Sequence, residues 1–229
     1  MSARLPSALR SAARSAIEWV REQIGAGILS DTAIRRAVAR GDIVLDPYRP
    51  EQVNQASYDL RLGRGVRVYK DTTHDWAHPS PCPGGTSFTP SGCGALDVRL
   101  QNQTRSLEME PGRPFLLQPG IGYLLHTEES VYSERYVGCV DGKSSLGRLF
   151  ASSHVTAGYI DPGYRGQITL EVVVTHPLWV VPGMRFAQIR WHTIVGQATS
   201  YQKAGHYTGV AARGAASSQS WKQFQEAKK

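Results

Sequence analysis

From Ile43 onward the chain is a succession of short runs rich in Val, Ile, Leu and Tyr, each soon broken by Gly, Pro, Asn or Asp. SYDLRLG, GVRVYK, LDVRLQ, PFLLQPG, GYLLHT, YVGCVDG, QITLEVVVTH and FAQIRWHTI follow one another in this way. Such runs are too short for helices that bury a stripe, but long enough for strands whose alternate side chains face a core. No βαβ alternation appears, and no Gly-rich phosphate loop follows a strand. The pattern predicts a mainly β fold, an all-β sandwich or barrel, within a body of residues 28–201.

The two ends differ from this body. Residues 1–27 are Ala- and Arg-rich, with Leu9, Ala12, Ala13, Ile17, Val20 and Ile24 at three- and four-residue steps. That spacing predicts an amphipathic helical extension, packed on the body or on a neighbouring subunit. A second helix is expected from Ser30, a good N-cap, to Gly41, a good helix stop. Residues 70–95 are rich in Gly, Pro, Ser and Thr and read as a loop insertion. His74, His78, Cys82 and Cys93 lie within it, at spacings that match no zinc site, so no metal site is expected there. Residues 202–229 are Gly-, Ala- and Ser-rich and read as a flexible C-terminal arm.

The net charge of +7 sits at those ends: residues 1–40 carry +4, residues 202–229 carry +4, and the centre is near neutral. A nucleic-acid-binding body would carry the basic stripe itself, so no nucleic-acid partner is expected. No apolar run approaches the ~18 residues of a membrane span, so no membrane partner is expected either. Three cysteines and no apolar leader argue against a disulfide-stapled secreted scaffold and predict a cytoplasmic protein.

Chemistry concentrates in residues 141–174, DGKSSLGRLFASSHVTAGYIDPGYRGQITLEVVV. Lys143, Ser144, Ser145 and Arg148 place two cations and two hydroxyls beside glycines, a composition that suits an anion. Asp161 opens a turn, DPGYRG. Glu171 is the only charge between Arg165 and Arg185. In a buried strand it would be a carboxylate in an apolar setting, with a raised pKa and the properties of a general acid or base. On an ordinary strand it would simply face outward.

GKSSLGRL, HVTAGYIDPGYRG and ITLE resemble the core of the dCTP deaminase branch of the trimeric dUTPase superfamily. SDTAIRRAVARGDIVLDP with SYDLRLG, then VPGMRFAQI, then GHYTG resemble its flanking segments, so that the likeness spans roughly residues 28–215. It implies a distorted β-barrel or jelly roll of the dUTPase type with N-terminal helices, a homotrimer with sites between subunits, and a deoxynucleoside triphosphate substrate with Mg²⁺ on its phosphates. Glu171 falls on the deaminase Glu, which shuttles a proton as water attacks C4 of cytosine. Ser144 and Arg148 fall on residues of the pyrimidine site and its water, and Lys143, Ser144, Ser145, Leu146, Gly147 and Arg148 on the nucleotide-binding run. Asp161 falls on the acid beside the deoxyribose, Thr169, Leu170 and Gln188 on nucleotide-contacting strand positions, and Tyr201, His206 and Val210 on the arm. The HxE and PCxxC of zinc deaminases are absent, in keeping with a branch that deaminates without zinc.

The resemblance implies deamination of dCTP to dUTP and ammonia. Gly158, where deaminase-only members tend to carry His, tilts the reading toward further cleavage to dUMP and pyrophosphate. A dUTPase-like pyrophosphatase acting on dUTP or a modified dCTP, or a nucleotide-binding regulator, are the alternatives. Lys143 departs from the usual Arg and loses its two-pronged fork, His206 departs from a phosphate-contacting Lys, and Val210 departs from Gln.

Overall fold

The structure, a computed structural model, describes residues 27–70, 96, 98–204, 207 and 214–226. The expected N-terminal helix and the 70–95 insertion lie almost wholly outside them, as do His206 and Val210. The first described helix, α1 (Asp31–Arg40), has the expected bounds. The Ser30 hydroxyl accepts the Ala33 N–H, and Gly41 closes the helix at φ 76°, a left-handed conformation that glycine adopts without cost. Ile34 and Ala37 bury its apolar face.

Thirteen strands follow among the described residues. The larger sheet runs β5 (Thr104–Glu108), β4 (Gly65–Tyr69), β7 (Tyr123–Tyr132), β11 (Arg165–Val174), β9 (Ala151–Ser152), with β1 (Val44–Asp46) also paired to β7. The second runs β10 (Tyr159–Ile160), β8 (Tyr136–Gly142), β13 (Arg185–Thr193), β3 (Ser57–Arg61), β2 (Val53–Asn54). A small third sheet joins β12 (Leu178–Val180) to β6 (Phe115–Leu117). Every strand pairing among the described residues is antiparallel, as a chain of short strands and tight turns produces. The architecture is jelly-roll-like, and the sheets stay open rather than closing into the barrel that was the alternative.

Alternation decides what each strand does. On β11, Gly166, Ile168, Leu170, Val172 and Val174 face the core, while Gln167, Thr169 and Glu171 face the other way. Leu170 meets Leu125, Tyr58, Leu60, Phe186, Ile189 and Trp191 in one apolar cluster, all essentially without exposure. The β11–β7 register slips between Gln167 and Thr169 because β7 bulges. The buried Thr127 hydroxyl mends the ladder there: it accepts the Ile168 N–H at 2.9 Å and donates to the Glu129 carbonyl at 2.7 Å.

His126 sits beside that bulge, locked on both ring nitrogens. Its Nε2 accepts the Gly65 N–H at 2.9 Å and its Nδ1 lies 2.8 Å from the Thr127 carbonyl. Burial pushes its pKa down, so the ring is neutral and free to accept. Gly63 lies against the ring: a Cβ there would stand 2.2 Å from Cε1. The ring has no room to yield while both nitrogens are held. Gly63→Ala is expected to destabilise the fold by about 1–3 kcal/mol, seen as a lower denaturant midpoint at unchanged slope.

Candidate active site

The core-averse face of β11 opens into a cleft of about 400 Å³. Thr169 and Glu171 form its floor, and the chain from His154 to Tyr164 forms one wall. Glu171 is half-buried. Its apolar sequence neighbours, Leu170 and Val172, point into the core, so the carboxylate itself faces the cleft rather than an apolar interior. One oxygen, Oε2, lies 3.3 Å from the Val155 N–H and 3.4 Å from the Thr156 N–H. The loop between β9 and β10 thus folds around the carboxylate and fixes its direction. Ala157, at φ 61°, makes the left-handed bend of that loop.

Gly158 follows at a point of contact. Its carbonyl accepts the Val140 N–H at 2.7 Å, and a Cβ would stand 2.7 Å from the Val140 carbonyl oxygen. The same Cβ would stand 2.9 Å from the His154 ring, so this loop conformation leaves no space for a side chain at residue 158. Asp161 lies exposed at the cleft mouth, at the head of a turn closed by the Tyr164 N–H to the Asp161 carbonyl. Behind it Tyr164 and Tyr201 pack edge to face, with centroids 5.7 Å apart. Burial lifts the Tyr164 phenol to about 12, and it donates to the Gln167 carbonyl as a neutral group.

Part of the C-terminal segment covers the cleft. The backbone N–H groups of Gly214, Ala216 and Ser218 donate to Gln167 Oε1 at 2.6 Å, Thr169 Oγ1 at 2.9 Å and the Tyr69 hydroxyl at 2.9 Å. Gln219 donates likewise to the Tyr207 hydroxyl at 3.3 Å. The body therefore holds the segment largely by its backbone, with the Ser220 hydroxyl adding one side-chain bond to the Val98 carbonyl at 3.1 Å.

The other expected residues lie elsewhere. Ser144–Gly147 form α2, a single turn in which Leu146 is buried and Ser144, Ser145 and Gly147 are exposed, with Arg148 exposed just after it. Lys143 pairs with the buried Asp59 of β3. Gln188, on β13, donates to the Gly142 carbonyl at 3.0 Å and accepts from the Ser57 hydroxyl at 3.0 Å, which pins the start of the turn. None of Lys143–Arg148, nor Gln188, lines the cleft of its own chain, and Leu170 is in the core. The structure thus brings together Asp161, Thr169, Glu171 and Tyr201 and leaves the SSLGR turn apart.

The sequence matches the family model described as dCTP deaminase-like over residues 28–194. The chain belongs to that family.

Among relatives named dCTP deaminase, dUMP-forming, the chain is 39% identical to that of Thermobifida fusca over 165 residues, covering 71% of this chain and 76% of the relative. It is 34% identical to that of Acidothermus cellulolyticus, covering 88% and 99%. The relative from Methanopyrus kandleri is 37% identical, with 80% and 91% covered. Among solved structures, the 2'-deoxycytidine 5'-triphosphate deaminase of Agrobacterium tumefaciens superposes with a TM-score of 0.52 at 27% identity. The match covers 74% of this chain and 49% of that one.

Within this family frame, His154, Thr156 and Tyr207 join the cleft beside the residues expected from sequence. His154 and Thr156 stand inside the HVTAG run that carries the resemblance, and Tyr207 inside GHYTG, so their place near the site was visible. Tyr69 ends a strand with no motif around it, and nothing in the sequence marks it.

Proposed function

We propose that this protein deaminates dCTP and then cleaves the triphosphate, giving ammonia, dUMP and pyrophosphate. The observation that carries the reading is Glu171, a carboxylate aimed into the cleft and held by two backbone N–H groups. Glu171 takes a proton from water as the water oxygen attacks C4 of cytosine. It returns that proton to the amino group as the C4–N bond breaks and ammonia leaves. A second water then attacks the α-phosphorus of dUTP and expels pyrophosphate, with Asp161 at the cleft mouth to orient it. The names of the relatives, dUMP-forming, and the side-chain-free Gly158 support the second step.

Mg²⁺ is taken as travelling with the triphosphate, whose charge it neutralises. A hydrated ion bound to the phosphates would be held from the protein side by Asp161, the exposed carboxylate that lines the cleft.

The reading includes a homotrimer. The SSLGR turn lies outside its own cleft, and exposed Leu149 and Phe150 follow it directly in the chain, apolar side chains suited to a neighbouring copy. In that assembly Ser144 and Arg148 of one subunit would reach the cleft of the next. The body is residues 28–201, with 1–27 and 202–229 as appendages. No helix among the described residues is long and apolar enough to cross a membrane, and the proposed reaction on a free deoxynucleotide suits a cytoplasmic protein.

The test is one tube of full-length protein, Mg²⁺ and dCTP, with nucleotides separated by chromatography and ammonia assayed together. Ammonia with dUMP and pyrophosphate is expected. Accumulation of dUTP would remove the second step, and absence of ammonia would remove the reading.

A further inference from the structure

The charge of Lys143 is already balanced within the structure. Its ammonium is spent on Asp59, whose carboxylate is only 1% exposed. An approaching phosphate would meet a neutral pair, and a neutral pair attracts an anion weakly. A second cation changes the sum. Arg185 Nη1 lies 3.4 Å from the other oxygen of the same carboxylate, and its Nη2 lies 3.3 Å from the Glu51 carbonyl. Asn54 donates to Asp59 Oδ1 at 2.9 Å and brings no charge. Two cations thus share one carboxylate, and the cluster carries an excess of one positive charge.

The exposures show where that excess points. Asp59 is sealed, while the Lys143 side chain is 22% exposed and that of Arg185 43%. The carboxylate lies beneath and the cations lie above it. Arg61, nearest along β3 and paired with Arg185 in register, makes its own contacts to neutral oxygens, Gln52 Oε1 and the Gly183 carbonyl. Arg61 thus adds no second carboxylate to the cluster, which lies next to the Gln188 side chain that pins the SSLGR turn.

We propose that Arg185 is a phosphate-binding residue, forming with Lys143 a two-cation cradle for the polyphosphate on the buried Asp59 carboxylate. The guanidinium supplies the planar fork that a Lys at position 143 lacks. Asp59 is the positioning residue: it touches no phosphate and holds the two cations side by side. This assignment rests on the proposed nucleotide site and names how that site grips the phosphates.

Binding of inorganic pyrophosphate to the full-length protein, by calorimetry, tests it without any turnover. Arg185→Gln keeps a hydrogen-bonding side chain and removes the charge, and is expected to weaken pyrophosphate binding about tenfold or more. Its affinity should also fall less steeply with added salt than the parent's, a change that a purely structural role would not produce. Arg185→Lys, which restores charge without the fork, should recover part of the loss. Lys143→Ala should weaken binding likewise, and the double variant should bind no pyrophosphate. Parental affinity and salt dependence in Arg185→Gln would overturn the assignment, as would a parent protein that binds no pyrophosphate. A protein that binds pyrophosphate through Arg185 yet releases no ammonia from dCTP would keep this assignment and lose the proposed reaction.

Discussion

Glu171→Gln is expected to lower ammonia release from dCTP about 10³-fold, the middle of the range for losing a positioned general base. The substitution separates shape from chemistry. A glutamine fills the same volume, and its amide oxygen can accept both the Val155 and Thr156 N–H groups, because in the native protein a single oxygen, Oε2, accepts both. The β9–β10 loop therefore keeps its anchor and the cleft its wall. What disappears is the ability to receive a proton from water and pass it to the leaving amine. Binding of dCTP, measured separately by calorimetry, is expected to stay within about threefold, since uniform binding and proton transfer are separable losses. Ammonia release within a few-fold of the parent rate would sink the role given to Glu171, whatever its position in the cleft.

Much of this site was legible because β structure has a period of two. Once QITLEVVV is a strand, Gln167, Thr169 and Glu171 must share one face and Ile168, Leu170 and Val172 the other, and β11 does this. Helix α1 was legible for a different reason: Ser30 and Gly41 are local signals, each satisfied within a few residues. The setting of Glu171 shows where one-dimensional reasoning stops. Apolar neighbours in sequence left both a buried carboxylate and an outward-facing one open, and the strand decides for the second, because its nearest neighbours in sequence point the opposite way. Its true neighbours are two backbone N–H groups on a loop some 15 residues upstream. The same limit hides the Lys143–Asp59–Arg185 cluster, whose members come from β3, the β8–α2 junction and β13 and meet only through sheet pairing. The grip on the C-terminal segment is hidden more deeply. Its donors are backbone N–H groups, which every residue but proline carries, so no residue type in that segment announces the contact.

The second large effect concerns the turn that the cleft lacks. Arg148→Ala is expected to reduce ammonia release about 10²-fold, the consequence of removing a charge-assisted partner from a closed site. On its own that result would not say whose site Arg148 serves. The geometry supplies the distinction, because Glu171 and Arg148 of one chain do not line one cleft. In the proposed trimer each site takes its carboxylate from one subunit and its arginine from the next. Mixing Glu171→Gln and Arg148→Ala subunits then creates new sites in which both groups are native. If equal amounts are unfolded together and refolded, about one site in four has its carboxylate from an Arg148→Ala subunit and its arginine from a Glu171→Gln subunit. Two nearly inactive proteins are thus expected to regain about a quarter of parental activity, and only after subunit exchange. Simple mixing of preformed trimers should give nothing until they dissociate. A site contained within one chain predicts the opposite: every chain in the mixture carries one lesion, and exchange restores no activity. Recovery measured against the ratio of the two variants should be greatest at equal amounts and fall toward either pure protein, a dependence that contaminating parent enzyme cannot imitate.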